Sequence, residues 1–296
     1  MLNFTLFTHR AAASLSGRFL AAVVFVMSAI SMSAQLSLTN GSPSATIDFS
    51  SSMQTSVGSN PAEAFAGTGF SPNPTTAGRL NSNAWAVTGW SDGNLSFGGT
   101  RTAPPTTDYT RGSTGGSVGT GGMWAFIGAP GSAANPTLMI QPGGGDWVVN
   151  ATLTLRIQNN GTTNITELAF AYNIYIRNDQ ARGSSFNFSH SADDVAYTAV
   201  PALNYTSTAA ADGLGWVLVG TAPSRSTTIT GINIAPGAYY YIRWSGADVS
   251  GSGSRDEFGL DDISVTATFG GAAPATQLAI TSIAPASPYQ AEQFSI

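Results

Sequence analysis

The sequence predicts an all-β fold of two antiparallel sheets packed face to face. Three observations carry this expectation. Several segments alternate apolar and polar side chains with period two, as strands with one buried face do. Clusters of Gly, Asn, Asp and Pro separate them, which are the residues that turns require. No segment repeats apolar residues at the spacing of an amphipathic helix. Many short strands joined by such turns close a core as a sandwich.

Taken in order, residues 1–34 read as a targeting segment. Residues 1–18 carry His9, Arg10 and Arg18 and no acid, and residues 19–30 are apolar. Ser31, Ser33 and Ala34 then offer a small-residue cleavage site before Gln35. This order is that of a secretory signal. Its apolar run is shorter than the roughly 20 residues a transmembrane helix needs, so no membrane insertion is expected after its removal.

The strand candidates follow. Shorter ones lie at 45–49, 84–90, 123–127 and 137–141, with Gly/Ser/Thr/Pro-rich loops expected over 50–82 and 99–121. Residues 152–158 place Leu153, Leu155 and Ile157 on one face. Residues 168–176 do the same with Leu168, Phe170, Tyr172, Ile174 and Ile176. Phe186 and Phe188 alternate with Asn187 and Ser189, and 216–219 and 227–234 are short candidates. Residues 239–244, Tyr-Tyr-Tyr-Ile-Arg-Trp, are aromatic on both faces. Ile263, Val265, Ala267 and Phe269 alternate with polar residues along the closing strand. Residues 270–275 form a small-residue linker, and 276–283 read as a new strand, the opening of an Ig-like domain truncated at Ile296. The expected boundaries are a signal at 1–34, a sandwich module at 35–272, and a linker with the Ig-like opening at 273–296.

Composition narrows the chemistry. The 296 residues contain no Cys and two His, of which only His190 follows the signal, and every basic residue is Arg. Thiolate nucleophiles, disulfides, lysine Schiff bases, P-loops and ordinary zinc sites are therefore excluded. Removing the signal takes two of the 11 basic residues and none of the 16 acids, which leaves nine against 16 and a net charge of −7. Such a chain is ill suited to nucleic-acid backbones or anionic membranes, which need clustered cations. Hydrophobic residues make up 42% and charged residues 9%, so the chain can bury a core without disulfides.

The string Arg255-Asp256-Glu257-Phe258-Gly259-Leu260-Asp261-Asp262-Ile263-Ser264-Val265 resembles the closing strand of secreted jelly-roll sandwiches of the MAM and concanavalin-like kind. Residues 186–194, running into Tyr197-Thr198-Ala199-Val200-Pro201, resemble the strand, Ser-x-Asp-Gly, aromatic hairpin of the same modules, with Asp194 in place of the Gly. Residues 44–269 resemble an N-terminal module of large proteins exported by bacteria that use type IX secretion. The resemblance implies a jelly-roll-like sandwich, followed in the same parent chain by Ig-like, lamin-tail or hydrolase domains.

Four constellations bear on function. Asp248, Asp256, Glu257, Asp261 and Asp262 flank the Gly/Ser loop 250–254. Asp261 shares parity with Ile263 and Val265 and is expected to point inward, where a carboxylate needs a partner. Ca²⁺ would neutralise it, and so would Arg243, brought close by the preceding strand. Gly115-Gly116-Ser117-Val118-Gly119 has the G-x-S-x-G pattern of hydrolases but lacks the helix that pattern requires, so it reads as a loop. His190 shares parity with Phe186 and Phe188 and reads as a packing residue rather than a base. No carboxylate pair for glycoside hydrolysis can be named among Glu63, Glu167, Glu257 and Glu292. Finally, Tyr239, Tyr240, Tyr241 and Trp244 cannot all face one core. Either Tyr239 and Tyr241 or Tyr240 and Trp244 must look outward, and this strand is the place for a ligand platform such as a sugar ring needs.

The expected protein is a secreted or cell-surface module, non-catalytic in itself, that serves adhesion, glycan binding or spacing within a larger chain. The alternative is the accessory front end of a secreted hydrolase whose catalytic domain lies beyond Ile296.

Overall fold

The computed structural model describes residues 36–50, 64–72, 78–102 and 107–271. The signal at 1–34 and the Ig-like opening at 273–296 lie outside the described residues. In chain order the strands are β1 (Leu36–Leu38), β2 (Ser44–Ile47), β3 (Phe70–Ser71), β4 (Leu80–Asn81), β5 (Trp85–Trp90) and β6 (Gly93–Leu95). Next come β7 (Ser113–Thr114), β8 (Gly122–Phe126), β9 (Thr137–Gln141), β10 (Thr152–Asn159), β11 (Ile165–Arg177) and β12 (Arg182–Ser191). The last are β13 (Thr198–Ala199), β14 (Tyr205–Thr206), β15 (Val217–Leu218), β16 (Arg225–Ile229), β17 (Tyr239–Gly251) and β18 (Glu257–Phe269). The described residues contain no α-helix.

The fold is all-β, with two eight-stranded sheets forming a sandwich. The first runs β13-β12-β17-β10-β5-β6, with β1 beside β10 and β14 beside β12. The second runs β15-β11-β18-β9-β8-β7, with β16 beside β11 and β2 beside β18. Pairing is antiparallel except at the short pairs β1/β10, β3/β4 and β7/β8.

Period-two patterning decides which side chains meet. Leu153, Leu155 and Ile157 of β10 stand opposite Trp244, Ile242 and Tyr240 of β17, all facing the core. From the other sheet β11 contributes Leu168, Phe170, Tyr172, Ile174 and Ile176. Trp244 is fully buried and stacks on Trp85 at a centroid distance of 6.1 Å. It also meets Phe170 at 6.0 Å and Tyr172 at 5.6 Å across the sandwich, and Phe188 of the neighbouring strand β12 at 6.2 Å. Trp147 closes one end, its indole N–H donating to the Ser185 carbonyl at 3.0 Å. Gly246 makes room for it, because a Cβ there would lie 2.4 Å from the Trp147 carbonyl oxygen.

Two expectations are corrected here. Tyr240 and Trp244 are not platform residues, because they belong to the core at 3% and 0% exposure. Alternation along the closing strand also breaks. The β11–β18 register shifts between Ala171 and Asn173, and Asp262 sits at φ 47. Such a bulge flips parity. Phe258 and Leu260 point inward before it, and Ile263, Val265 and Ala267 after it. Asp261 therefore points away from the core, to the side opposite Ile263.

Candidate functional site

The outer face of the first sheet is polar, with one aromatic stripe across its middle strands. Because Tyr240, Ile242 and Trp244 face inward, Tyr239, Tyr241 and Arg243 of β17 must face outward, beside Gln158, Arg156 and Thr154 of β10. All six are outside the core; Tyr239, Tyr241, Arg243, Arg156 and Gln158 are half-buried. Phe97, from the loop after β6, folds over this face, and its ring lies 5.8 Å from that of Tyr241. The Arg156 guanidinium lies 4.5 Å from the centre of the Phe97 ring and 4.2 Å from that of Tyr239. Its Nε donates to the Asn83 carbonyl at 2.9 Å, which fixes the plane.

At the far end of the stripe stands the hairpin after β12. Ser191 Oγ accepts the N–H groups of Asp193 and Asp194, each at 3.1 Å. Asp193 Oδ1 accepts those of Val195 and Ala196, each at 2.9 Å, and these bonds hold its carboxyl below the usual range. Asp194 fills the position where the resemblance expects Gly, at φ 61, a left-handed conformation that Asp tolerates better than most residues. Its side chain explains the exchange. Asp194 Oδ1 accepts from the Tyr197 hydroxyl at 2.5 Å and from Arg243 Nη2 at 3.0 Å. Arg243 lies 3.6 Å from the centre of the Tyr197 ring and donates through Nε to Thr154 Oγ1 at 3.0 Å. Burial, then the bond to Asp194, pushes the Tyr197 hydroxyl up. The expected pairing of Arg243 with Asp261 or Asp262 is thus corrected: β17 and β18 lie in different sheets, and Arg243 pairs with Asp194.

The five acids also separate. Asp248 lies at the surface, bound by Arg182 and, at 3.5 Å, by Arg255, and its carboxyl is held low by the bond to Arg182. Asp256 is fully buried and accepts the Gln180 N–H at 3.0 Å. Glu257 accepts the Val118 N–H at 3.4 Å, while its Oε2 is buried without a partner. Asp261 accepts the Thr137 hydroxyl and the Asp262 N–H, each at 2.9 Å. Asp262 is exposed and accepts from Asn173 at 2.8 Å. No three His, Cys, Asp or Glu side chains among the described residues come together at a spacing that would hold a metal.

A second acidic cluster was not legible in the sequence. Ser91 Oγ lies 2.8 Å from Asp108 Oδ2 and 2.9 Å from Asp146 Oδ1. Asp108 also binds Arg111 at 2.9 Å. Asp108 and Asp146 are both buried. One hydroxyl proton cannot serve two carboxylates well, and burial, then the neighbouring Asp108, raises the Asp146 pKa against the opposing bonds from the Ser91 hydroxyl and N–H. The Asp146→Asn variant is expected to retain the wild-type melting temperature near neutral pH, while Asp108→Asn, which removes the partner of Arg111, is expected to lower it. Equal losses in a melting scan of both would contradict this assignment.

The candidate catalytic groups lie apart from any nucleophile–base arrangement. His190 Nδ1 is 2.6 Å from the Tyr240 hydroxyl and its ring stacks on that tyrosine, while burial lowers its pKa. Ser117 is exposed in the loop after β7, and no helix follows it.

No protein-family model matches the chain, and no curated protein does. Solved structures give faint likenesses. A non-crystalline cellulose specific carbohydrate-binding module, CBM28, aligns with a TM-score of 0.30 at 10% identity, over 48% of this chain and 78% of that one. The CBM22-1 xylan-binding domain of Xyn10C from Paenibacillus barcinonensis aligns at 0.28 and 9% identity, over 54% and 90%. The K3 cleaved adhesin domain of Lys-gingipain from Porphyromonas gingivalis aligns at 0.26 and 14% identity, over 48% and 79%. Scores of this size carry no argument about what the chain binds.

Proposed function

We propose that the chain is a non-catalytic glycan-binding module and that the outer face of the first sheet is its binding surface. The observation that carries the reading is the stripe of Tyr239, Phe97, Tyr241 and Tyr197, interleaved with Arg156 and Arg243, across a face whose other residues are mainly Ser, Thr, Asn and Gln. Aromatic rings bury the apolar faces of sugars, and neighbouring hydroxyls, amides and guanidinium groups bond their hydroxyls. The residues 1–34 support export. The strings 186–201 and 255–265 support a place among MAM and concanavalin-like modules of type IX-exported proteins. The linker at 270–275 supports further domains in the same parent chain. Among the described residues no helix is long and apolar enough to cross a membrane.

The test is calorimetry of the full chain against hexasaccharides of xylan, glucan, mannan and uronates. At least one is expected to bind at millimolar concentration or better. Tyr241→Ala is expected to weaken that binding about 30-fold, the size of an aromatic hot spot worth about 2 kcal/mol. An absence of binding across the panel would overturn the reading.

A further inference from the structure

We infer that the glycan is acidic: a uronate carboxylate is gripped by Arg156. This rests on the glycan-binding reading of the same face and narrows it.

Arg111, Arg177, Arg182, Arg243 and Arg255 each pair with an aspartate. Arg156 makes no ion pair among the described residues. Its side chain donates from Nε to the Asn83 carbonyl, and its two terminal nitrogens are not committed to a protein carboxylate. Yet it is held in place by that bond and by the close rings of Phe97 and Tyr239. A guanidinium immobilised in this way has already given up the rotamer freedom that binding would cost it. The edge it keeps is the two-pronged donor that matches a carboxylate. The stacking also accounts for why an unpaired cation persists on a half-buried surface: ring faces stabilise it by about 0.5–2 kcal/mol.

The charges around it give the stripe a direction. On β17, Tyr241 separates Tyr239 from Arg243. Asp194 is bound to Arg243 and Tyr197 at the Arg243 end, and Asp193 is bound within its own turn. The outward neighbours on β5, Ala86 and Thr88, are uncharged, as are Asn83 and Gln158. One end of the stripe therefore carries a compensated ion pair and the other an uncompensated cation. A sugar chain lying along the rings would place a neutral unit over Tyr197 and an acidic unit over Tyr239 and Arg156. The mature chain has a net charge of −7, so diffuse attraction cannot supply a preference for anions. Any such preference must come from local pairing.

The experiment compares hexagalacturonate and hexamannuronate with their fully methyl-esterified forms, which keep the rings and lose the charge. Titration calorimetry of the full chain is expected to show at least about tenfold tighter binding of one acid form over its ester, falling as NaCl is raised about tenfold. Arg156→Gln is expected to erase the difference between acid and ester, and a cooperative thermal melt of the variant shows that it folds. Tyr239→Ala is expected to weaken both forms. Equal affinity for acid and ester in the unsubstituted protein overturns the inference and leaves the glycan reading standing. So does binding of a neutral hexasaccharide with neither uronate bound. Binding of no glycan at all overturns both.

Discussion

Trp244→Ala is expected to cost about 3–5 kcal/mol of folding stability, the usual loss for a large aromatic removed from a core. For a domain of this size that lowers the melting temperature by roughly 10 °C. The reason is its position at the centre of the sandwich. One face of its ring stacks on Trp85 of the same sheet, while Phe170 and Tyr172 approach it from the opposite sheet. No small rearrangement fills the space of an indole enclosed on both sides. Tyr239→Ala is the control, because Tyr239 lies on the same strand but faces outward and half-buried. Its loss is expected to be about 1 kcal/mol, the worth of its stacking on Arg156. Equal losses in denaturant melts of the two variants would mean that the assignment of faces on β17 is wrong.

The second large effect concerns pH. Burial first, then the charge of Asp179, pushes the Glu257 carboxyl from 4.5 to about 7, against the opposing pull of Arg177 and the Val118 N–H. Asp261 rises from 3.8 to about 7, through burial first and then the Asp262 and Asp48 charges. Burial also raises Asp256. In each case the folded state binds the proton more tightly than the unfolded chain. For Glu257 and Asp261 the stabilisation is complete below the unfolded pKa near 4 and is lost as pH rises through the folded pKa near 7. The chain is therefore expected to be more stable at about pH 4.5 than at about pH 8, by on the order of 3 kcal/mol for each of the two residues shifted to about 7. Glu257→Gln, which mimics the neutral form, is expected to raise the melting temperature at the higher pH and to change little at the lower. A melting temperature that climbs from pH 4.5 to pH 8, or a Glu257→Gln variant less stable at both, would contradict this.

Much of the fold was legible because local patterning and global packing agree. The alternation at 152–158 and 168–176 gave the two strands and their inward residues directly, since each of these strands has one face in the core. The closing strand misled because a bulge is a backbone event. Nothing in Leu260-Asp261-Asp262-Ile263 announces that Asp262 adopts φ 47, although two consecutive aspartates before an apolar run are a sequence in which such a break is tolerated. The site was half legible. The excess of aromatics at 239–244 required some of them to leave the core, and parity allowed two solutions without deciding between them. Pairing with Leu153, Leu155 and Ile157 decides it. Arg156 was not singled out from the sequence, although it is the charged residue of 152–158, on the side of Thr154 and Gln158. Phe97 and Asn83, which make it rigid, are brought in from loops more than 50 positions away, a distance over which no periodicity reaches. The same holds for Ser91, Asp108 and Asp146, gathered from three separate loops.

Nuclear magnetic resonance mapping of the full chain with a bound hexasaccharide reads the binding face directly. Amide and ring shifts at Asn83, Phe97, Arg156, Tyr197, Tyr239 and Tyr241 are expected to move together and saturate with one affinity. Ala169, Thr228 and Ser264, on the outer face of the second sheet, are expected to stay unmoved. Saturable shifts confined to the second sheet, with the aromatic stripe silent, would contradict the assignment of the binding surface.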